Sequence, residues 1–267
     1  MPWGIIQYTG WLKMATVSIS QKTNAGAYVE QRAMLAASFR WTARLKLHEG
    51  VASHFSLAVN ESGTDFLLNP NQRHFSQIRA SDLLLLNVHD EGVMERPDAP
   101  DPTAWGLHGS IHRHCPRIKC LMHAHPIYST VLASLADSRL PAIDQNTATF
   151  FNRVVIDEDY GGLALADEGE RCAKMLSDNP CQVMIMSNHG ILVIGDSVAQ
   201  TFNRLYYFER AAETYIKALW TGQPLRLMSD EVAESLARAL ETYYGPAYSH
   251  FTELVAVLDR EEPDYRN

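Results

Sequence analysis

The stretch Cys120-Leu121-Met122-His123-Ala124-His125-Pro126 governs how the rest of the chain is read. Three apolar or soft residues run straight into two histidines one residue apart. On an extended strand alternate side chains share a face, so His123 and His125 point the same way. Two imidazoles side by side at a strand end can take adjacent positions on one divalent metal. Pro126 then stops the ladder, because it has no N–H to donate. A second stretch, Met184-Ile185-Met186-Ser187-Asn188-His189-Gly190, has the same grammar. A short apolar run meets a polar break, a histidine, and a glycine that lets the chain turn sharply. Three neutral imidazoles are enough protein ligands for a catalytic metal that keeps an open position. The competing interpretation is that these are half-buried polar strand residues, and His189 joins the pair only if the two strands are neighbours.

With 267 residues, 46% of them hydrophobic, the chain can bury a sizeable core. The net charge of −8 and the lack of a basic cluster with interleaved aromatics disfavour nucleic-acid binding. No apolar run approaches the roughly 20 residues a membrane span needs. The four cysteines, Cys115, Cys120, Cys172 and Cys181, form no C-x-x-C pair, which removes a zinc ribbon or thioredoxin-type motif. Four reduced thiols in a cytoplasmic protein are expected. Met1 to Met14 has only Lys13 and no small-residue cleavage signal, so no secretory leader is expected, and Met14 is expected to be the working start.

Periodicity places the elements. Tyr28 to Leu47 predicts an amphipathic helix ended near Gly50. Phe55–Asn60 and Asp65–Leu68 predict a hairpin about Asn60-Glu61-Ser62-Gly63. Leu83–Val88 reads as a buried strand. The prolines at 97, 100 and 102 predict a surface loop over 90–104. A helix is expected over Trp105–Cys115, with His108 and His112 four apart on one stripe. Ile118–His125 is a strand and Ile127–Leu135 a helix. Val154–Ile156 and Gln182–Met186 read as strands flanking a helix over Ala164–Ser177, and Gly190–Ile194 as the return strand. Long helices are expected over Ser197–Leu219 and Ser229–Tyr244, the second capped by Ser229. Residues 1–27 and 246–267 are expected to be peripheral tails. Hairpins mixed with helices predict a single α/β domain over 1–267 with a largely antiparallel sheet.

In this order, the hairpin after an N-terminal helix, Ile78-Arg79-Ala80-Ser81-Asp82-Leu83-Leu84-Leu85, Leu107-His108-Gly109-Ser110-Ile111-His112, His123-Ala124-His125-Pro126 and Ser187-Asn188-His189-Gly190 resemble the class II aldolase/adducin superfamily. The match runs from about Val29 to Leu219. The resemblance implies a three-layer α/β/α sandwich around a largely antiparallel sheet, and a homotetramer. It also implies that His123, His125 and His189 bind zinc or a similar divalent ion, with manganese, iron and cobalt as the other ions such a ligand set suits.

The sequence departs from the family's aldolases at two places. Four residues ahead of His108, where they carry an acidic general acid/base, stands Ala104, which cannot carry a proton. Their phosphate-cradling Gly-Asn-x-Ser and Thr-Pro-x-Gly stretches read Ser53-His54-Phe55-Ser56 and Asn69-Pro70-Asn71-Gln72 here. Without those glycines the backbone loses its close approach to phosphate. The expectation is therefore a metal-dependent lyase cleaving a C–C bond beside a chelated oxygen in a small, non-phosphorylated hydroxy-carbonyl or hydroxy-carboxylate compound. A decarboxylase or dehydratase of the same superfamily is the alternative, and a non-catalytic adducin-like module the second alternative. Such a module is expected to lack the histidine set that this chain keeps. His108 is the candidate catalytic residue, against a role in helix packing. His54, Asn69 and Tyr128 are candidates for contacting substrate; His54 also reads as an exposed strand residue and Tyr128 as a packing residue. His112 and His114 read as structural or surface residues, and Cys120 and Met122 as core.

Overall fold

The computed structural model describes residues 26–159, 162, 165–178, 181–243 and 245–267. The expected N-terminal tail up to residue 25, with the proposed start at Met14, lies outside them.

In chain order the elements are α1 (Val29–Arg44), β1 (His54–Ala58), β2 (Asp65–Leu68), β3 (Leu84–Asn87), α2 (Pro102–His114), β4 (Cys120–Ala124), α3 (Ile127–Ala133), α4 (Gln145–Thr149), β5 (Val154–Asp157), α5 (Leu165–Asp178), β6 (Val183–Met186), β7 (Gly190–Gly195), α6 (Val198–Trp220), α7 (Asp230–Thr242) and α8 (Gly245–Glu261). The strands form one seven-stranded sheet in the order β3-β2-β1-β4-β7-β6-β5. Every neighbouring pair is antiparallel except β5 with β6. β5 and β6 are joined through α5, the crossover that a parallel pair requires.

The pleat sorts side chains to two faces. Phe55, Leu57, Cys120, Met122, Ile191 and Val193 pack with α1, α6 and α8 on one side. Leu121, Met184, Leu192 and Ile194 pack with α2 and α5 on the other. The result is a sandwich of three layers, α/β/α. Cys120 and Met122 lie in the core, as their alternation with His123 requires. On the second face α2 and α5 meet backbone to backbone: a Cβ on Gly169 would stand 2.1 Å from the carbonyl oxygen of Gly106.

Three expectations need correction. First, α2 begins at Pro102 rather than Trp105. Asp101 caps it by accepting from the N–H groups of Thr103 and Ala104, and Pro102 at the first position has no N–H to leave unpaired. Second, α4 was not foreseen; Asp144 caps it through the N–H of Thr147. Third, residues 246–267 are not a peripheral tail. α8 buries Phe251 and Leu258, and the short 3-10 turn Pro263–Arg266 buries Tyr265, all in the main core. Arg40 ties that end to α1 through Glu262 and Asp264, at 3.0 and 2.9 Å.

Candidate metal centre

The sheet brings the candidate ligands together. β1 and β4 pair with His54 opposite His123, and β4 and β7 pair with His123 opposite Leu192. His125 follows the end of β4, and His189 sits in the turn joining β6 to β7. Asn188 takes φ +57°, a left-handed conformation that asparagine tolerates, and its N–H donates to the carbonyl of Ala133 at 2.9 Å. Gly190 follows because nothing larger fits: a Cβ there would stand 2.5 Å from Cδ2 of His125 and 2.8 Å from the carbonyl oxygen of Ala124. His123, His125 and His189 thus each offer a nitrogen within 4.8 Å of the others.

The hydrogen bonds around these rings fit a cation. His123 Nδ1 donates to the carbonyl of Ile191 at 3.0 Å, and His125 Nδ1 lies 2.7 Å from a carboxylate oxygen of Glu49. Metal ligation requires neutral imidazoles, and in that form, with both Nδ1 atoms occupied as donors, both Nε2 atoms are bare and 2.9 Å apart. Two lone pairs facing at that distance repel, and a shared cation removes the repulsion. The carbonyl and carboxylate behind the rings are the partners that metal-bound histidines ordinarily have. Burial favours the neutral, metal-binding form: it pushes His123 well below the usual imidazole range and His189 down to about 4, neighbouring imidazoles adding to both shifts.

The set opens into a cavity of about 260 Å³ whose wall includes His54, Asn69, Asp101, Thr103, Ala104 and Glu168. His54 is buried and stacked on His123, with ring centroids 4.7 Å apart. Asn69 is braced by the backbone N–H of Phe55, which donates to its Oδ1 at 3.0 Å. Ala104 takes its place in the wall without a proton-bearing group.

Two expected site residues do not reach the wall. His108 is fully buried behind His54: its Nε2 lies 2.8 Å from His54 Nδ1, and its Nδ1 lies 2.5 Å from Ser56 Oγ. Its position on α2 turns the ring toward β1 rather than into the cavity. Burial lowers its pKa to about 3, so it has no imidazolium proton to give near neutrality. Tyr128 lies instead against α6, its ring 5.3 Å from Lys217 Nζ and 6.3 Å from the Trp220 ring. α3 starts just after His125 and carries this side chain away from the cavity. His112 is fully buried and stacks on Phe66, whereas His114 is half-exposed beside Glu170.

Sequence reasoning passed over Glu49, Asp101 and Glu168. Glu49 looked like part of a helix end, and nothing local links it to His125. Asp101 was legible, since an aspartate before proline at a helix start is a cap signal. Glu168 gave no signal, because its place depends on how α5 crosses α2. Its carboxyl is raised above the usual range by burial, with Arg171 opposing and Asp157 adding to the rise.

With this geometry established, comparison with known proteins places the chain. A model of the Class II Aldolase and Adducin N-terminal domain matches residues 33–216, and the chain belongs to that family. It is 27% identical to Decarboxylase NovR of Streptomyces niveus over 222 residues, 81% of each chain. Its fold superposes on an aldolase II superfamily protein from Pseudomonas syringae with a TM-score of 0.81 and 27% identity, covering 94% of this chain and 100% of that one. An L-fuculose 1-phosphate aldolase from Glaciozyma antarctica PI12 shares the fold at a TM-score of 0.73 and 19% identity, over 95% of this chain and 97% of that one.

Proposed function

We propose that this protein is a divalent-metal-dependent lyase that breaks a C–C bond beside a chelated oxygen in a small, non-phosphorylated hydroxy-carboxylate or hydroxy-carbonyl compound. The observation that carries this is the triad His123, His125 and His189 opening onto a cavity with room for a small guest. Zinc suits three imidazoles best, with manganese, iron or cobalt as alternatives. When bound there, the ion supplies a Lewis acid that draws negative charge onto an oxygen neighbouring the reacting carbon.

Loss of CO2 is the favoured form of the cleavage. It needs no base to begin, which suits Ala104, and the similarity to a decarboxylase supports it. It does need a proton at the end. Glu168 is the carboxyl in the wall able to give one, since Asp101 is held by the N-terminus of α2. In a guest whose carboxylate-bearing carbon adjoins a carbonyl, the bond to the departing carboxylate breaks, its electron pair passes to the carbon left behind and that carbonyl, and Glu168 protonates the carbon. Water then reprotonates Glu168. Because α5 stands against α2 at Gly169 and Gly106, residue 168 borders the turn of α2 that carries Ala104.

The test is a panel of small hydroxy acids and hydroxy-carbonyl compounds offered to zinc-loaded protein, with CO2 and aldehyde detection. Release of CO2 from a panel member is expected. It should be lost, together with stoichiometric zinc, in the His123→Ala/His125→Ala variant. A purified protein that takes up no metal and turns over no panel member refutes the proposal.

A further inference from the structure

Four buried polar side chains run in line from the interior to the cavity wall: His112, Ser56, His108 and His54. Ser56 Oγ lies 2.8 Å from His112 Nε2 and 2.5 Å from His108 Nδ1, and His108 Nε2 lies 2.8 Å from His54 Nδ1. His112 Nδ1 is buried without a hydrogen-bond partner among the described residues. That end of the line settles where every proton sits.

A buried N–H without an acceptor costs more than a bare lone pair in the same place, because a donor has one way to be satisfied. The proton of His112 is therefore on Nε2, donated to Ser56 Oγ. Ser56 has one hydroxyl proton and gives it to Nδ1 of His108. His108 then carries its proton on Nε2 and donates to Nδ1 of His54. His54 has only Nε2 left for its own proton. Burial holds His108 and His112 near pKa 3, so each carries a single ring proton and the sequence of donors has one direction.

We propose that this chain fixes His54 as a hydrogen-bond donor into the cavity and thereby selects a guest bearing a carboxylate beyond its metal-chelating oxygen pair. This rests on the metal-dependent reading of the site. His54 stacks on the candidate ligand His123, with ring centroids 4.7 Å apart, and lines the same cavity. A neutral N–H there matches one carboxylate oxygen. It offers neither the glycine-backbone cradle nor the positive charge that a phosphate calls for. Ser56, His108 and His112 act through His54 and are positioning residues.

Two measurements on zinc-loaded protein test it. Long-range proton–nitrogen spectra of histidine-labelled protein report which ring nitrogen carries each proton. All three rings are expected as Nε2–H forms, with the His54 and His108 signals displaced in Ser56→Ala and little changed in His112→Gln, whose amide can still donate to Ser56. Calorimetry then compares malate with lactate, which lacks the second carboxylate. Malate is expected to bind about tenfold more tightly. That preference should vanish in His54→Phe and Ser56→Ala and survive in His112→Gln, with zinc content unchanged throughout. Finding His54 protonated on Nδ1, or equal zinc-dependent affinity for both acids, overturns the proposal and leaves the lyase reading standing. If neither acid binds in a zinc-dependent way, the metal-dependent reading fails and this proposal fails with it.

Discussion

His125 shows how much a single ring depends on residues far away in the chain. Its motif was plain from the strand pattern, yet its orientation comes from Glu49, an exposed carboxylate 76 positions earlier at 2.7 Å from Nδ1. In the neutral ring the contact fixes the tautomer that leaves Nε2 bare, as the proposed metal ligation needs. Replacing Glu49 by Gln keeps the size and one acceptor oxygen but removes the charge. Zinc affinity of Glu49→Gln is expected to fall about tenfold, the low end for such a partner because water can substitute at an exposed site. Competition with a chromophoric chelator measures it, and unchanged affinity would mean that Glu49 orients nothing. His54 and Asn69 reach the wall as expected, while His108 and Tyr128 do not. A four-residue helical spacing says which histidines share a stripe, not which neighbour the stripe meets.

At the scale of elements, most strands and helices announce themselves through apolar periodicity, and the ends follow their caps. Prolines 97, 100 and 102 predict a loop up to residue 104, which sets the expected start of α2 three residues late. One of them, Pro102, occupies the first-turn position where proline is favoured. α3 presents a different problem, since Pro126 precedes it and no side chain of its own caps it. The cap comes from α6. Glu209 is buried and accepts from the N–H groups of Tyr128 at 2.9 Å and Ser129 at 2.8 Å, and from Ser129 Oγ at 2.6 Å. Its negative charge also meets the positive end of the helix dipole. A glutamate on a long amphipathic helix looks like any solvated one until α6 and α3 pack. Glu209→Leu leaves two N–H groups and a hydroxyl without their buried acceptor. A loss of about 2–4 kcal/mol is expected, which a thermal melt would show as a fall of about 5–15 °C. Glu213→Gln, half-buried on the same helix and paired with the surface cations Arg210 and Lys217, should move it far less.

For the whole molecule, the class of fold was legible because hairpins and helices intermingle, and the candidate trio His123, His125 and His189 because the three histidines share one strand-end grammar. The C-terminal end was missed although Phe251, Leu254, Val255 and Leu258 recur at helical intervals. Their burial depends on a groove between α1 and α6 that no local pattern describes. The buried histidines carry a consequence for the entire fold. His108 and His112 are both held near pKa 3 by burial, against an ordinary value of 6.5 when the chain unfolds. Between those values the unfolded chain binds protons that the folded one refuses, so stability is complete above about pH 6.5 and falls as pH drops toward 3. Each such group contributes a slope of about 1.4 kcal/mol per pH unit in that window. His123 and His189 act in the same direction when no metal is bound. Metal-free protein is therefore expected to lose stability steeply below pH 6 in urea titrations run at stepped pH. His112→Gln removes one titrating group while keeping a donor for Ser56, so its acid limb should be shallower by about 1.4 kcal/mol per pH unit between pH 6 and 4. Identical slopes for the two proteins would mean that His112 accepts its proton without unfolding the chain, and that the buried line of polar groups can be reset from within.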